Sequence, residues 1–99
     1  MIDKFDDVID ITCKKIINKC EPEILFHLAA QPIVRRSYND PLETFHSNII
    51  GTANILEAAR ELNSLKTIIV VTSDKCYENI EDKSAYKEGD PLGGFDPYS

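Results

Sequence analysis

Two short blocks of this chain are almost wholly apolar, and two longer stretches repeat their apolar positions at helical spacing. The first block is residues 23–30, built around Ile24-Leu25-Phe26-His27-Leu28-Ala29-Ala30, and the second is Thr67-Ile68-Ile69-Val70-Val71-Thr72. Continuous rather than alternating hydrophobicity, with β-branched residues in the second block, predicts strands covered by helices on both faces. Between them, Leu42, Phe45, Ile49, Ala53, Leu56 and Leu62 keep a helical period over residues 41–63. Its start is clearly marked: Asp40 at the N-cap, Pro41 at the first helical position and Glu43 at the third. Ahead of the first block, residues 11–19 predict a shorter helix capped by Asp10. It would bury Cys13, Ile16, Ile17 and Cys20, and Glu21-Pro22 would end it. Residues 31–39 and 73–99 read as loops, the latter with an exposed tip at Glu81-Asp82-Lys83.

Helix, strand, helix, strand and long loop, in that order, predict an α/β fold with a parallel sheet. A lone βαβ unit leaves both sheet edges unpaired and one face short of cover. The 99 residues are therefore expected to be an internal piece of a larger domain. No repeat, low-complexity tract or linker divides them.

Composition narrows the function classes. Eleven Lys and Arg against 17 Asp and Glu give a net charge of −6, which disfavours non-specific nucleic-acid binding. No apolar run approaches the roughly 18–20 residues that span a bilayer, and the first residues lack a signal-peptide layout. Cys13, Cys20 and Cys76 form no CxxC or Cys/His cluster, so neither a disulfide framework nor a metal site is expected, and a reducing cytoplasm suits them.

In open parallel sheets, ligands bind beyond the carboxyl ends of the strands. Small residues at the first end, Ala29-Ala30, let a flat ligand approach the backbone. The second end places a hydroxyl, a carboxylate and an ammonium on Ser73, Asp74 and Lys75, and Tyr98 follows in the loop. The bland readings stand beside these: Ala-Ala is common packing, and Ser-Asp after a strand is often only a turn or cap. His27 reads as a hydrogen-bonded core residue. Arg35-Arg36 either grips phosphate or is merely solvated or ion-paired.

Several of these segments together resemble the extended short-chain dehydrogenase/reductases. Phe26-His27-Leu28-Ala29-Ala30-Gln31 is similar to the family's strand-end motif, and Asn48-Ile49-Ile50-Gly51-Thr52 to its Asn-x-x-Gly-Thr. Asp96-Pro97-Tyr98-Ser99 resembles the start of Tyr-x-x-x-Lys. Ser73-Asp74-Lys75-Cys76-Tyr77 stands where most nucleotide-sugar dehydratases carry Thr-Asp-Glu. A lysine there, with Cys-Tyr after it, is similar to the CDP-glucose 4,6-dehydratases, as are the runs around Gln31-Pro32 and Gly93-Gly94. The family's Gly-x-x-Gly-x-x-Gly, which cradles the cofactor pyrophosphate at a helix N-terminus, is not present in these 99 residues. The resemblance thus implies a part of a Rossmann-type doubly wound parallel sheet. Residues 1–99 would be a partial NAD-binding domain, without the glycine-rich loop and the C-terminal substrate region.

The resemblance also implies a reaction and roles. NAD takes hydride from C4 of a nucleotide-linked glucose, CDP-glucose by the subfamily likeness, while Tyr98 as phenolate removes the C4 hydroxyl proton. Ser73 holds the sugar hydroxyl, Asp74 protonates the hydroxyl leaving C6, and hydride returns to C6. Lys75 is either the base for C5, if neutral, or a charged stabiliser of the enolate. Leu28, Ala29, Ala30, Gln31 and Thr72 would line the cofactor with Tyr98. Asn48 would order backbone or water near the tyrosine, and Asp7-Val8 would meet the adenine. The parent would be a homodimer or larger, and the 99 residues alone inactive. Another nucleotide-sugar epimerase or dehydratase, or a non-catalytic remnant, are the alternatives.

Overall fold

The computed structural model describes residues 11–80 and 84–99; the expected cap Asp10, the pair Asp7-Val8 and the tip Glu81-Asp82-Lys83 lie outside them. Helix α1 (Ile11–Cys20) is followed by strand β1 (Ile24–His27) and by helix α2 (Val34–Asn39). Helix α3 (Pro41–Phe45) then runs through a π-helical turn (His46–Ile50) into α4 (Gly51–Arg60), strand β2 (Thr67–Val70) and a 3-10 turn (Asp74–Cys76). Helix α1 stops as expected before Pro22, where Glu21 adopts left-handed geometry with φ 46°.

The two strands pair in parallel, Ile24 opposite Thr67 and His27 opposite Val70. Lys66 N–H donates to the Glu23 carbonyl at 2.8 Å, and Val71 N–H to the His27 carbonyl at 3.0 Å, continuing the ladder at both ends. Connecting parallel neighbours requires a crossover, which the α2–α4 segment supplies.

Asp40 caps α3 as its sequence indicates, its Oδ1 accepting from Glu43 N–H at 3.0 Å. Glu43 does not complete a reciprocal capping box. Its carboxylate meets the Arg36 guanidinium, Nε donating to Oε2 at 2.8 Å with a second bond from Nη2. The ion-paired reading of Arg36 is therefore the observed one, while Arg35 is exposed.

Three expectations need correction. Residues 34–39 are helical rather than loop. The Gln31 side chain, tied to Thr44 Oγ1 thirteen residues away, folds back on Ile33, accepting from its N–H at 2.8 Å and donating to its carbonyl at 3.2 Å. Ser37 N–H then reaches the Ile33 carbonyl at 3.1 Å, and no side-chain cap announces the helix. Second, the strands are not covered on both faces. Leu25 and His27 are buried, whereas Ile24, Phe26 and all of β2 are exposed, since among the described residues helices cover only one side.

Third, the apolar stripe of the long helix faces away from the sheet. Leu42, Phe45, Ile49 and Leu56 are exposed, and the buried positions are Thr44, Gly51, Ile55, Ala58 and Ala59. The apolar core is accordingly small: Leu25, Ile55, Ala58 and Ala59. In α1, which packs against α4, Cys13, Ile16 and Ile17 are half-buried, and Cys20 is exposed rather than buried.

Truncating Ile55 to Ala should cost about 2–4 kcal/mol, because it opens a cavity in the only well-buried aliphatic cluster described. Leu56→Ala should cost far less. Urea midpoints at constant m-value separate the two; equal losses would place the core on the other helix face.

Candidate active site at the strand ends

The carboxyl ends of β1 and β2 open into one cleft of about 510 Å³. Leu28, Ala29 and Ala30 form its β1 side, and Val71, Thr72, Ser73, Lys75 and Cys76 its β2 side. Asn48 and Thr52 enter from the long helix, and Tyr98 and Ser99 from the last turn. Of the residues singled out from the sequence, Leu28, Ala29, Ala30, Asn48, Thr72, Ser73, Lys75 and Tyr98 share this one space.

Gln31 and Asp74 do not. Gln31 is 7% exposed, and its side chain is spent inside the fold. Besides its bonds to Ile33, Nε2 donates to Thr44 Oγ1 at 2.9 Å. The resemblance implies that Gln31 lines the cofactor; here its side chain is the latch that turns the chain into α2. Asp74 lines a neighbouring cavity of about 180 Å³ with Tyr77, Tyr86, Phe95 and Asp96. Lys75 and Ser99 belong to both spaces, so the two are contiguous at those residues.

The floor residues are held from the helix. Asn48 Oδ1 accepts from Gln31 N–H at 2.7 Å, and Asn48 Nδ2 donates to the Gln31 carbonyl at 3.2 Å. One amide thereby pairs a strand-end peptide as a neighbouring strand would. His27, 5% exposed, bonds Thr52 Oγ1 through Nε2 at 2.9 Å, as a hydrogen-bonded core histidine should. Burial lowers its pKa below the ordinary value.

On the β2 side, Ser73 Oγ accepts from Lys75 N–H at 3.2 Å and donates to Asp74 Oδ1 at 3.3 Å. The cap reading of Ser73 is thus observed, in a residue that also lines the cleft. The loop beyond is closed by an antiparallel β-bridge between Tyr77 and Leu92, by Glu78 N–H donating to the Pro91 carbonyl at 2.8 Å and by Gly93 N–H donating to the Cys76 carbonyl at 3.0 Å. The rings of Tyr77 and Tyr86 stack at 5.0 Å and 14°.

Tyr98 sits on a turn organised by one carboxylate. Asp96 Oδ1 accepts from Tyr98 N–H and Ser99 N–H, each at 3.0 Å, and Oδ2 accepts from Ser99 Oγ at 2.8 Å. Burial opposes the ionised form of Asp96, but those bonds, with the Lys75 charge, hold its carboxyl below the usual range. Gly94 packs against this turn so closely that a Cβ there would lie 2.0 Å from Ser99 Cβ and 3.2 Å from Ser99 Cα.

The sequence reading passed over Thr52 and Cys76 as lining residues. Thr52 was legible in principle, since i,i+4 spacing puts it one turn above Asn48 on the same helix face. Among the described residues, no cluster of His, Cys, Asp and Glu could hold a metal ion, and no helix is long and apolar enough to cross a membrane.

Residues 6–99 match the sequence pattern of the GDP-mannose 4,6 dehydratase family. The chain belongs to that family. It is 48% identical over 83 residues to the CDP-glucose 4,6-dehydratase of Salmonella typhimurium, covering 84% of this chain and 23% of that protein. It is 39% identical over 72 residues to the CDP-paratose 2-epimerase of Salmonella typhi, covering 73% of this chain and 21% of the relative. The structure superposes on the UDP-glucose 4-epimerase of Thermus thermophilus, solved as a complex with NAD, with a TM-score of 0.80 and 28% identity. That match covers 93% of this chain and 30% of the epimerase. The family member is thus α/β, part of a Rossmann-type sheet, and spans less than a quarter of the two curated relatives it matches.

Two outcomes follow from this geometry. Gly94→Ala should displace the Ser99 backbone and speed amide exchange at Tyr98 and Ser99, leaving the β1–β2 ladder protected; an unchanged turn would contradict the close approach. Because the His27 pKa is lowered in the fold, the unfolded chain takes up its proton at higher pH. Stability should therefore fall as pH drops through about 6.5, the ordinary histidine value, toward the folded one. Urea midpoints for the native chain and His27→Gln from about pH 7.5 to 5.5 check this, the variant giving the flatter curve.

Proposed function

We propose that this chain is a segment of an NAD-dependent lyase, a nucleotide-sugar 4,6-dehydratase that converts CDP-glucose to CDP-4-keto-6-deoxyglucose in the cytoplasm. The observation that carries the reading is Ser73-Asp74-Lys75 at the end of β2, beside the cleft that Ala29-Ala30 and Tyr98 also line. The 48% identity to a CDP-glucose 4,6-dehydratase supports the substrate, and the NAD complex of a structural relative supports the cofactor. The cysteines are not joined in disulfides, which suits a reducing compartment.

The cleft fits a flat ligand, for its β1 side is small side chains and exposed backbone at Ala29 and Ala30. Leu28, Ala29, Ala30, Thr72 and Tyr98 would hold the nicotinamide end. NAD, when bound, would supply the hydride acceptor for C4 oxidation and the hydride donor for C6 reduction. The chain's own residues handle the protons. Tyr98 Oη, as phenolate, takes the C4 hydroxyl proton, with the Lys75 charge close to its turn. Ser73 Oγ hydrogen-bonds the same sugar hydroxyl. Asp74 gives a proton to the hydroxyl leaving C6, and its place lining the adjoining cavity supports a pose with the C5–C6 end of the ring on that side. Lys75, shared by both spaces, either takes the C5 proton as free amine or, as ammonium, stabilises the enolate while water takes that proton. Asn48 acts on the cleft through the Gln31 backbone rather than by touching substrate.

A nucleotide-sugar epimerase is the second reading, favoured by the 39% identity to a CDP-paratose 2-epimerase. The exposed stripe Leu42, Phe45, Ile49 and Leu56 supports a homodimer or larger assembly of the parent. The 99 residues contain no Gly-x-x-Gly-x-x-Gly, so NAD binding by this segment alone should be weak in calorimetry.

The decisive experiment supplies CDP-glucose to the longer protein containing this sequence. A 4-keto-6-deoxy product is expected, and action only on another nucleotide sugar, or inversion without loss of water, would sink the proposal. Tyr98→Phe should lower kcat by about 10²–10⁴-fold, the scale of a lost acid-base group. Lys75→Arg keeps the charge without a usable base near neutral pH, so retained turnover selects the enolate-stabilising role.

A further inference from the structure

The cleft floor is strung between two pins on a single helical turn. Residue 27 is held by Thr52 and residue 31 by Asn48, and the pinning residues are as far apart in sequence as the pinned ones. The two spans differ in reach. Four residues of extended chain cover about 13 Å, whereas four residues of α-helix rise about 6 Å. Residues 28–30 must therefore leave the strand direction, and they are the exposed residues that line the cleft.

The upper pin is directional. Thr52 Oγ1 lies 2.6 Å from the Asn48 carbonyl, an acceptor only, so the threonine proton is spent there. Its oxygen must then accept from His27, which makes His27 the Nε2–H tautomer. A threonine that bonds back to its i−4 carbonyl bends a helix, and π turns arise where the regular ladder is disturbed. The bond from Thr52 to Asn48 reaches back into the π turn 46–50, at whose centre Asn48 stands.

We propose that His27 and Thr52 are positioning residues: their relay to the Asn48 carbonyl fixes the π turn, and so aims the Asn48 amide at the Gln31 peptide. The relay carries no proton in the reaction and touches no substrate in this role. Losing the threonine hydroxyl frees the Asn48 carbonyl, lets the turn shift, and loosens the far pin four residues away from the altered contact. The inference rests on the cleft as a ligand site for its purpose, but its test needs no ligand. Failure of the dehydratase reading would leave it standing.

Amide exchange and ring-nitrogen NMR on the full chain test it. His27 should show the Nε2–H tautomer in the unaltered chain; an Nδ1–H ring overturns the relay whatever the variants do. Thr52→Val, nearly isosteric, should speed exchange at Gln31 N–H by about tenfold, the scale of one lost hydrogen bond. The Val71 N–H of the ladder should keep its protection. Thr52→Ser, which retains the hydroxyl, should restore Gln31. Unchanged Gln31 exchange in Thr52→Val, or an equal rise at Gln31 and Val71, would reduce Thr52 to ordinary packing and overturn the proposal. Should Thr52→Val fail to fold, His27→Gln, which can keep a side-chain donor toward Thr52, must protect Gln31 better than His27→Leu.

Discussion

A parallel strand ends by releasing peptide groups that no longer have a ladder partner, and the architecture of this chain turns on how that need is met. At the end of β1 the partner is a side chain, the Asn48 amide, which pairs both polar groups of Gln31. Buried backbone groups left unpaired are costly, so this substitution lets the chain leave the sheet without penalty. Gln31 in turn spends its own amide on Ile33 and Thr44, which directs the next segment into α2 and ties it to the start of α3. One asparagine thus stands behind the strand exit, the following helix and the opening of the cleft.

The second side of the cleft is built differently. Ser73 caps a 3-10 turn with the same hydroxyl that faces the cavity, and Asp96 gathers three donors around the turn bearing Tyr98. In both cases local capping chemistry positions residues that line the cleft. Capping and a place in the cleft lining are compatible in these residues, because a cap fixes where its side chain lies. Lys75, adjacent to Ser73 in space and felt by Asp96, connects the two turns electrostatically.

What the sequence revealed depended on whether the controlling interaction was local. The α1 end at Pro22, the Asp40 cap and the two strands were legible, since each is written in a few consecutive residues. So were the residues clustered at the strand ends, which follow from strand order. Helix α2 was not, because its start is set by Gln31 rather than by any cap of its own. On the long helix the hydrophobic period marks an apolar stripe but not what it meets, and the buried positions are Thr44, Gly51, Ile55, Ala58 and Ala59 instead. Gln31 was singled out by the family resemblance, and its side-chain partners here are the Ile33 backbone and Thr44.

The open side of the sheet has a consequence for how these residues behave in solution. Ile24, Phe26 and Ile69 present apolar surface beside unpaired strand edges, an arrangement that invites self-association. What opposes it is the net charge of −6, a long-range repulsion between copies rather than any local shield. That repulsion vanishes near the isoelectric point of about 4.8, and added salt screens it. The colloidal limit of this segment is therefore set by its acidic surface, and acidification removes that protection in the same direction in which protonation of the buried His27 weakens the fold.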